Sequence, residues 1–327
     1  MSVEIIQALL LAFSVVVILM PGYIRLLRFL RMGKHIQDEL PDTHQAKAGV
    51  PPMGGLLLIA VVLALFYVLR GFPQAGAIPP LATLLLVGVL GAVDDYLNAR
   101  TGEGIRARQK MLWLIVVSAV VAYQIQSTYA IDGVAVPFVG LVQVPRLVYI
   151  VFAAFAIIAA SNGVNITDGL DGLSGGTLIF AFVAYLLIAL LNEPTQQPNI
   201  ATLCALLIGA LLGFLWFNVH PAQIIMGDSG SLSFGATLAV IALITGQILV
   251  LPFIGLIFVI ETGSVVIQVA YFKLTHGRRI FRMSPIHLHY QLLGWDEEKI
   301  TLRFWIIGIL AGLLGVVLFL ASIDRLV

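Results

Sequence analysis

The chain has 327 residues, of which 60% are hydrophobic and only 11% are charged, and its formal net charge is +1. Soluble domains carry roughly 25% charged residues, so this composition excludes an ordinary soluble protein and indicates a polytopic protein of the lipid bilayer. The charge balance gives no sign of a nucleic-acid partner, and we expect none. The one cysteine, Cys204, lies in an apolar run, which excludes a disulfide framework and a cysteine-ligated metal.

Apolar runs of roughly 17–25 residues predict transmembrane helices, and we expect about ten of them in an all-α membrane protein with a single domain over residues 1–327. The first run carries no cleavage pattern, so we interpret it as a membrane span and not as a signal peptide. The predicted spans cover residues 4–30, 53–70, 78–97, 110–126, 146–161, 173–191, 200–217, 231–247, 250–272 and 303–323.

The connection over residues 127–145 has a different pattern from the spans. Its Asp132-Gly133 pair is followed by alternating apolar residues up to Phe138, and a second apolar pair follows. Short alternating segments around a turn are typical of a hairpin. We therefore predict a small hairpin outside the membrane, on the extracytoplasmic side.

Lysine and arginine side chains collect on one side of the predicted spans. All but three of the 18 lie in or beside the connections after the first, third and ninth spans, and the exceptions are Arg70, Arg146 and Arg325. Positive residues favour the cytoplasmic side of a membrane. We expect these connections in the cytoplasm and, because the number of spans is even, both termini outside.

The polar motifs of the chain all fall on that same predicted cytoplasmic face. They are the segment 42–47, Asp94-Asp95, the segment 165–171, Asn218 with Gly227-Asp228, and His287-Leu288-His289. Ionisable groups at membrane depth are expensive unless they are paired, hydrated or bound to an ion. Each motif alone is also consistent with a polar helix end, but one shared cleft for a water-soluble ligand accounts for all of them.

Asp94 and Asp95 are adjacent carboxylates near the end of the third predicted span. Two such groups repel each other unless a cation or a proton is shared. Adjacent residues of a helix point about 100° apart, so only Asp94 shares a face with Asn98. Hard oxygen ligands without sulfur or imidazole suit magnesium. The alternative interpretation is a helix end that meets water.

Two further motifs add carboxylates to the predicted cleft. Asn165, Asp168 and Asp171 are spaced by three residues, so on a helix they can point to one side, and neighbouring glycines let the backbone approach a ligand. This pattern predicts a cation or phosphate–metal site.

Asp228 lies in Met-Gly-Asp-Ser-Gly-Ser before an apolar run, where a serine can cap the helix while free N–H groups face an anion. A turn with a cap explains the same motif.

The longest loop and two isolated charges complete the candidates. His287 and His289 can bracket a phosphate or stack on a base, or they can satisfy the loop backbone. Lys47 is a candidate phosphate clamp or one more cytoplasmic anchor. Glu261, inside the ninth predicted span, has no evident partner, and we interpret it as part of a water-exposed helix break.

Taken in order, these motifs resemble those of a known family, the phospho-N-acetylmuramoyl-pentapeptide transferases. This family belongs to the superfamily of polyprenyl-phosphate sugar-1-phosphate transferases, and the likeness runs from about residue 40 to Trp305. The motifs are His44 and Lys47 before Ala-Gly-Val-Pro-Pro-Met-Gly-Gly, Asp94-Asp95-Tyr-Leu, Ala107-Arg-Gln-Lys110, Asn165-Ile-Thr-Asp168-Gly-Leu-Asp171-Gly-Leu, Phe214-Leu-Trp-Phe-Asn218, Met226-Gly-Asp228-Ser-Gly-Ser and Met283-Ser-Pro-Ile-His287.

The resemblance implies an enzyme of the bacterial plasma membrane that uses Mg²⁺ and whose site faces the cytoplasm. Such an enzyme transfers phospho-N-acetylmuramoyl-pentapeptide from its UDP donor to undecaprenyl phosphate, which gives lipid I for peptidoglycan synthesis and releases UMP. A homodimer is an open alternative to a monomer. The roles it implies are catalytic for Asp94, Asp95, Asp228 and His287, substrate-binding for Lys47, Lys110, Asn165, Asp168, Asp171, Asn218 and His289, and magnesium-ligating for Asp228 and Asp168.

The chain departs from the family pattern at three positions. Asn98 stands where the family usually has lysine, Leu288 replaces the middle one of three histidines, and Ile225 stands where a phenylalanine often faces the uracil ring. These departures leave open a related transferase that uses UDP-N-acetylglucosamine or a similar donor. A magnesium or proton-coupled transporter is an alternative of another class, and it predicts carboxylates spread through the membrane midplane.

Overall fold

The computed structural model describes residues 3–33, 49–73, 76–192 and 197–323. Ten long helices account for most of this part of the chain. Two short helices, Leu251–Ile254 and Ile286–Gln291, lie in the C-terminal part. The helices are α1 Val3–Phe29, α2 Gly54–Arg70, α3 Ile78–Thr101, α4 Ala107–Tyr129, α5 Arg146–Thr167, α6 Leu173–Leu191, α7 Pro198–Asn218, α8 Gly227–Ile244, α9 Leu251–Ile254, α10 Leu256–Leu274, α11 Ile286–Gln291 and α12 Glu297–Ile323.

The long helices match the predicted spans one for one. Within the described ranges, nine of them are long and apolar enough to cross a membrane, while α2, with 17 residues, is shorter. At 1.5 Å per residue α2 is about 25 Å long, close to the lower limit for a span. The prediction of an all-α integral membrane protein is therefore confirmed, and the chain is a multi-pass membrane protein.

Among the helices that extend beyond their predicted ends, α5 and α8 carry candidate site residues in extensions of four or more residues. Helix α5 continues to Thr167 because the Asn162 side chain donates to the Ile158 carbonyl within the helix, at 2.8 Å, instead of ending it. Helix α8 begins at Gly227 and not at residue 231. Asn165 and Asp228 consequently lie on regular helical turns, which fix the directions of their side chains.

The stretch 127–145 contains two short strands. Strand β1 (Gly133–Val136) pairs antiparallel with β2 (Gly140–Gln143), with Gly133 opposite Gln143 and Val136 opposite Gly140. The turn between them places Phe138 and Gly140 at positive φ, 66° and 98°. A glycine accepts that conformation without steric cost.

Helices α7 and α8 form the centre of the bundle. In each, 89% of the residues in the most apolar window are buried, whereas α1, α5 and α10 are buried over about a third or less. Helices that are hydrophobic all round belong in a protein interior. The outer helices expose apolar faces such as those of Ile18 and Val266, as expected for contact with lipid.

Glycines let the central helix α8 approach its neighbours closely at its N-terminal end. A Cβ at Gly91 of α3 would overlap the Asp228 carbonyl, and a Cβ at Gly55 of α2 would overlap Gly230. Small residues at helix contacts are the usual means of close packing within membranes. This contact holds the first turn of α8 against the polar end of α3.

Candidate active site

Five of the predicted site residues line one cleft where α3, α5 and α8 meet. They are Asp94 and Asp95 of α3, Asn165 and Asp168 at the end of α5, and Asp228 at the start of α8. Asn98 and Ile225 are also part of the wall, and the cleft has about 620 Å³ of empty space, including the open space at its mouth. Residues separated by more than 130 positions in the sequence thus share one polar cavity.

Lys110, in the first turn of α4, joins two of these carboxylates. Its Nζ donates to Asp94 Oδ2 at 2.9 Å and to Asp228 Oδ2 at 2.5 Å. The second oxygen of Asp94 accepts the backbone N–H of Ile105 at 2.6 Å, in the loop between α3 and α4. Carboxylates that share one neighbour repel each other, and the ammonium group between these two offsets that repulsion.

Asn165 contacts the same carboxylate from the other side. Its Nδ2 donates to Asp228 Oδ1 at 2.8 Å and to Ser231 Oγ at 2.9 Å. Both oxygens of Asp228 therefore accept hydrogen bonds, one from a cation and one from a neutral amide. The Asp228 side chain retains partial access to the cleft, with 22% of its surface exposed.

Asp95 points away from Asp94 and holds the start of α8. Its Oδ1 accepts the backbone N–H of Asp228 at 2.9 Å, and its Oδ2 accepts that of Ser229 at 3.0 Å. The first N–H groups of a helix have no partner within the helix, and a carboxylate there is favoured by the helix dipole. Ser229 and Ser231, the caps suggested by the sequence, donate to main-chain carbonyls instead.

The turn between α5 and α6 carries Asp168 and Asp171 to different neighbours. Asp168 Oδ1 accepts a hydrogen bond from Ser174 Oγ. Asp171 is buried, and its Oδ2 is contacted by His220 Nδ1 at 2.9 Å and by the Ala222 N–H at 3.1 Å. The predicted set of three residues on one side of a helix is therefore divided, because the helix ends at Thr167 before Asp168.

Asp171, His220 and Glu297 form a compact group beside the cleft. Within the described ranges these are the three His, Cys, Asp or Glu side chains whose ligand atoms all lie within 4.8 Å of one another, close enough to hold a metal ion. Glu297 also accepts the backbone N–H of Asp171. Sequence reasoning did not select Glu297, because it lies 126 residues from Asp171 and acidic residues are common in the first turn of a helix.

Asn218 supports the backbone of the site. It is buried, its Oδ1 accepts the Gly172 N–H at 3.0 Å, and its Nδ2 donates to the Ile224 carbonyl at 2.8 Å. One side chain thereby connects the turn after Asp171 with the loop that leads to Asp228. The structure gives Asn218 these two backbone contacts, and its predicted contact with a substrate stays a prediction.

His287 is paired with a buried carboxylate. Its Nδ1 lies 3.0 Å from Glu261 Oε2, and Glu261 is completely buried. The interpretation of Glu261 as part of a water-exposed break was therefore wrong, because α10 continues through this position from residue 256 to residue 274. Sequence reasoning missed the pair, although a lone glutamate inside an apolar run already signals a buried partner.

His289 and Lys47 are the remaining predicted site residues. His289 Nδ1 accepts the backbone N–H of Arg282 at 3.0 Å, and its ring lies edge-on to Phe281. His289 therefore stabilises the loop before α11. Lys47 lies outside the described residues.

Comparison with known proteins identifies the family. The sequence model described as Glycosyl transferase family 4 matches residues 77–246, which run from the start of α3 to the end of α8. A phospho-N-acetylmuramoyl-pentapeptide-transferase of Desulfotalea psychrophila is 40% identical to 93% of this chain, and the match covers 89% of that protein. Proteins with the same name from Geobacillus sp. and Desulfosudis oleivorans are 39% and 41% identical over 94% and 95% of this chain, and the matches cover 96% and 91% of them.

This chain belongs to the phospho-N-acetylmuramoyl-pentapeptide-transferase family. It is accordingly a membrane transferase, and the resemblance noted in its motifs is confirmed. The segment matched by the Glycosyl transferase family 4 model contains the carboxylates of the cleft and Asn165, together with Lys110, which pairs with Asp94 and Asp228. The Glu261–His287 pair lies beyond that segment but within the length shared with the transferase relatives.

Proposed function

We propose that this transferase moves phospho-N-acetylmuramoyl-pentapeptide from a UDP donor to undecaprenyl phosphate, forming lipid I and UMP. The observation that carries the proposal is the cleft in which Lys110 and Asn165 hold Asp228 beside Asp94. Carboxylates gathered in one cleft favour chemistry on a bound substrate over transport, which would spread them along a path through the membrane.

The reaction asks the protein mainly to position two anions and to balance their charge. An oxygen of the lipid phosphate attacks the sugar-linked phosphorus of the donor, the bond from that phosphorus to the UMP oxygen breaks, and UMP leaves with the electron pair. We propose that Asp94 contacts the lipid phosphate and accepts any proton that this phosphate carries. Asp168, Asp171 and Asn218 are assigned to the nucleotide side of the site.

The donor atoms of the cleft fit magnesium. Asp94, Asp168, Asp228 and Asn165 supply carboxylate and amide oxygens, and no described residue lining the cleft offers sulfur or imidazole. The Lys110 ammonium lies between two carboxylates, so this part of the cleft already stabilises a positive charge. We propose Asp228 and Asp168 as ligands of Mg²⁺, which when bound would neutralise the charge of the donor's two phosphates.

The proposed orientation places the cleft at the cytoplasmic face of the bacterial plasma membrane, with both termini outside. Supporting it are the lysine and arginine residues concentrated in the connections on that side. There the water-soluble nucleotide arrives from the cytosol, while the lipid phosphate arrives from the bilayer. A homodimer is part of the proposal and is tested by measuring the molar mass of the purified protein in detergent.

The decisive experiment supplies purified protein and Mg²⁺ with undecaprenyl phosphate and, in separate reactions, the muramoyl-pentapeptide and N-acetylglucosamine UDP donors. The expected result is release of UMP and a lipid of the mass of lipid I with the first donor alone. Product with the second donor alone would assign the chain to the related donor. Ion flux in vesicles, without lipid product from either donor, would support a transporter.

A further inference from the structure

Glu261 is a completely buried carboxylate in the middle of α10, and the established family reaction gives it no role. One of its oxygens, Oε2, lies 3.0 Å from Nδ1 of His287, which is itself buried on α11. Its other oxygen, Oε1, is buried and has no hydrogen-bond partner. A buried carboxylate costs free energy unless it is well paired, and the single contact with His287 offsets only part of that cost.

The far side of the His287 ring faces the polar turn that follows α5. A Cβ at Gly169 would overlap His287 Nε2, so the ring nitrogen lies directly against this glycine. Gly169 immediately follows Asp168, which lines the cleft. The two ring nitrogens thus have separate neighbours, with Glu261 at Nδ1 and the turn of the site at Nε2.

The charge state of Glu261 decides which of the two side chains donates the hydrogen bond between them. An ionised carboxylate only accepts hydrogen bonds, so an ionised Glu261 at this distance takes its hydrogen bond from a proton on Nδ1 of His287. That assignment leaves Nε2 free to contact a group bound at the turn. A carboxylate behind a functional histidine commonly fixes its tautomer and its ring orientation in this way.

We propose that Glu261 is a positioning residue, which holds His287 with Nδ1 protonated and Nε2 directed at the Asp168–Gly169 turn, where the UDP donor binds. The proposal rests on the proposed function, because the turn is assigned to the nucleotide side. It predicts a specific kinetic effect: loss of Glu261 weakens use of the donor and leaves use of the lipid unchanged.

The test compares Glu261→Ala, Glu261→Gln, His287→Ala and the double variant Glu261→Ala/His287→Ala in full-length protein. We expect Glu261→Ala to lower kcat/KM for the UDP donor about 10- to 100-fold, by analogy with loss of the carboxylate partner of a metal-binding histidine. KM for the lipid stays within about twofold, and Glu261→Gln, which keeps an acceptor oxygen, recovers part of the loss. In the His287→Ala background, Glu261→Ala adds nothing further.

Ser264→Ala is the matched control. Ser264 is also a buried polar residue of α10, and it donates only to the Glu261 carbonyl within the helix, so its loss should change activity less than twofold. Three results overturn the proposal: Glu261→Ala with the activity of Ser264→Ala, losses that multiply in the double variant, or equal increases in KM for donor and lipid. Melting temperature in detergent shows which variants are folded.

A second measurement needs no substrate. In protein labelled with ¹⁵N-histidine, the His287 signals are assigned by their loss in His287→Ala. We expect a protonated Nδ1 in the native protein and loss of that signature in Glu261→Ala, and an unprotonated Nδ1 in the native protein overturns the proposal. If the native protein transfers no phospho-sugar but shows this signature, the proposed function fails while the pairing stands.

Discussion

Asp95 accepts hydrogen bonds from the backbone N–H groups of both Asp228 and Ser229, at 2.9 and 3.0 Å, and so it holds the residue that faces the cleft. The neighbouring carboxylate, Asp94, instead contacts Lys110 and the Ile105 N–H. Adjacent acidic residues therefore have separate neighbours. Substitutions of Asp94 and of Asp95 should therefore differ in their effects on stability and activity.

We expect Asp95→Ala to lower both the melting temperature and the activity. Loss of a capping side chain costs about 0.5–2 kcal/mol of stability, and here it also frees the first turn of α8. Asp95→Asn should fall in between, because an amide oxygen can accept only part of this pair of bonds. Both quantities are measured on protein purified in the same detergent. If Asp95→Ala abolishes transfer but melts like the native protein, Asp95 acts on the substrate directly.

Asp94→Asn and Asp228→Asn should each reduce Mg²⁺-dependent release of UMP by about 100-fold or more. Charge that is positioned for the transition state is typically worth that much, and the amide keeps the size of the side chain. We expect a monodisperse, folded protein in both cases, as judged by size-exclusion chromatography. Full activity in either variant would remove that aspartate from the mechanism.

Lys110→Gln should make the stability of the protein depend on divalent cations. Removing the ammonium leaves Asp94 and Asp228 facing each other without a neutralising charge. The melting temperature should then fall in EDTA and rise on addition of Mg²⁺ by more than it does in the native protein. An equal response to Mg²⁺ in both proteins would show that the cation does not bind at Asp228.

Gly169→Ala should be strongly damaging although it adds one methyl group. The new Cβ would overlap Nε2 of His287, so the ring or the Asp168 turn has to move. We expect at least a tenfold loss of activity, since small displacements of positioned groups are costly. Gly263→Ala is the control, because nothing lies within 4 Å of a Cβ there. Similar losses in both variants would contradict the close contact.

Introduced cysteines test the orientation. Cys204 is buried, and in a Cys204→Ser background Val139→Cys places a thiol at the tip of the β1–β2 turn, while Glu103→Cys places one between α3 and α4. A membrane-impermeant maleimide should label Val139→Cys in intact cells and Glu103→Cys only after permeabilisation. The reverse pattern would place the cleft outside the cytoplasm.

The sequence was sufficient for the membrane fold because apolar runs of membrane-spanning length leave few alternatives to helices. The sequence also predicted that Asp94, Asp168 and Asp228 lie in one cleft. The basic loops put all three on one face of the membrane, and their motifs resemble those of one family. The ends of α5 and α8 were harder to predict. The Asn162 side chain donates to a carbonyl within α5 and so does not end that helix. Asp95 accepts N–H groups from the first turn of α8, so that helix can begin before the apolar run.

Pairings between distant residues could not be predicted from sequence. Glu261 looked isolated because its partner lies 26 residues further along, on a separate short helix. Glu297 looked like an ordinary helix start, although it accepts the N–H of Asp171. Such contacts depend on how α10, α11 and α12 pack around the turn after α5, and nothing in local hydrophobic periodicity reports that packing.

Three main-chain hydrogen bonds attach the loop before α8 to the start of α2 and to the segment just before it. Gly54 N–H donates to the Ile225 carbonyl, Gly55 N–H to the Met226 carbonyl, and Ile225 N–H to the Pro51 carbonyl, at 2.9–3.0 Å. None of these bonds involves the side chain of Ile225, which lines the cleft. Exchange of residue 225 therefore alters the lining of the cleft without removing the main-chain bonds that hold this loop, while the neighbouring Asp228 keeps its place. The surface of this wall and the position of its carboxylate are thus set by different atoms of the same loop.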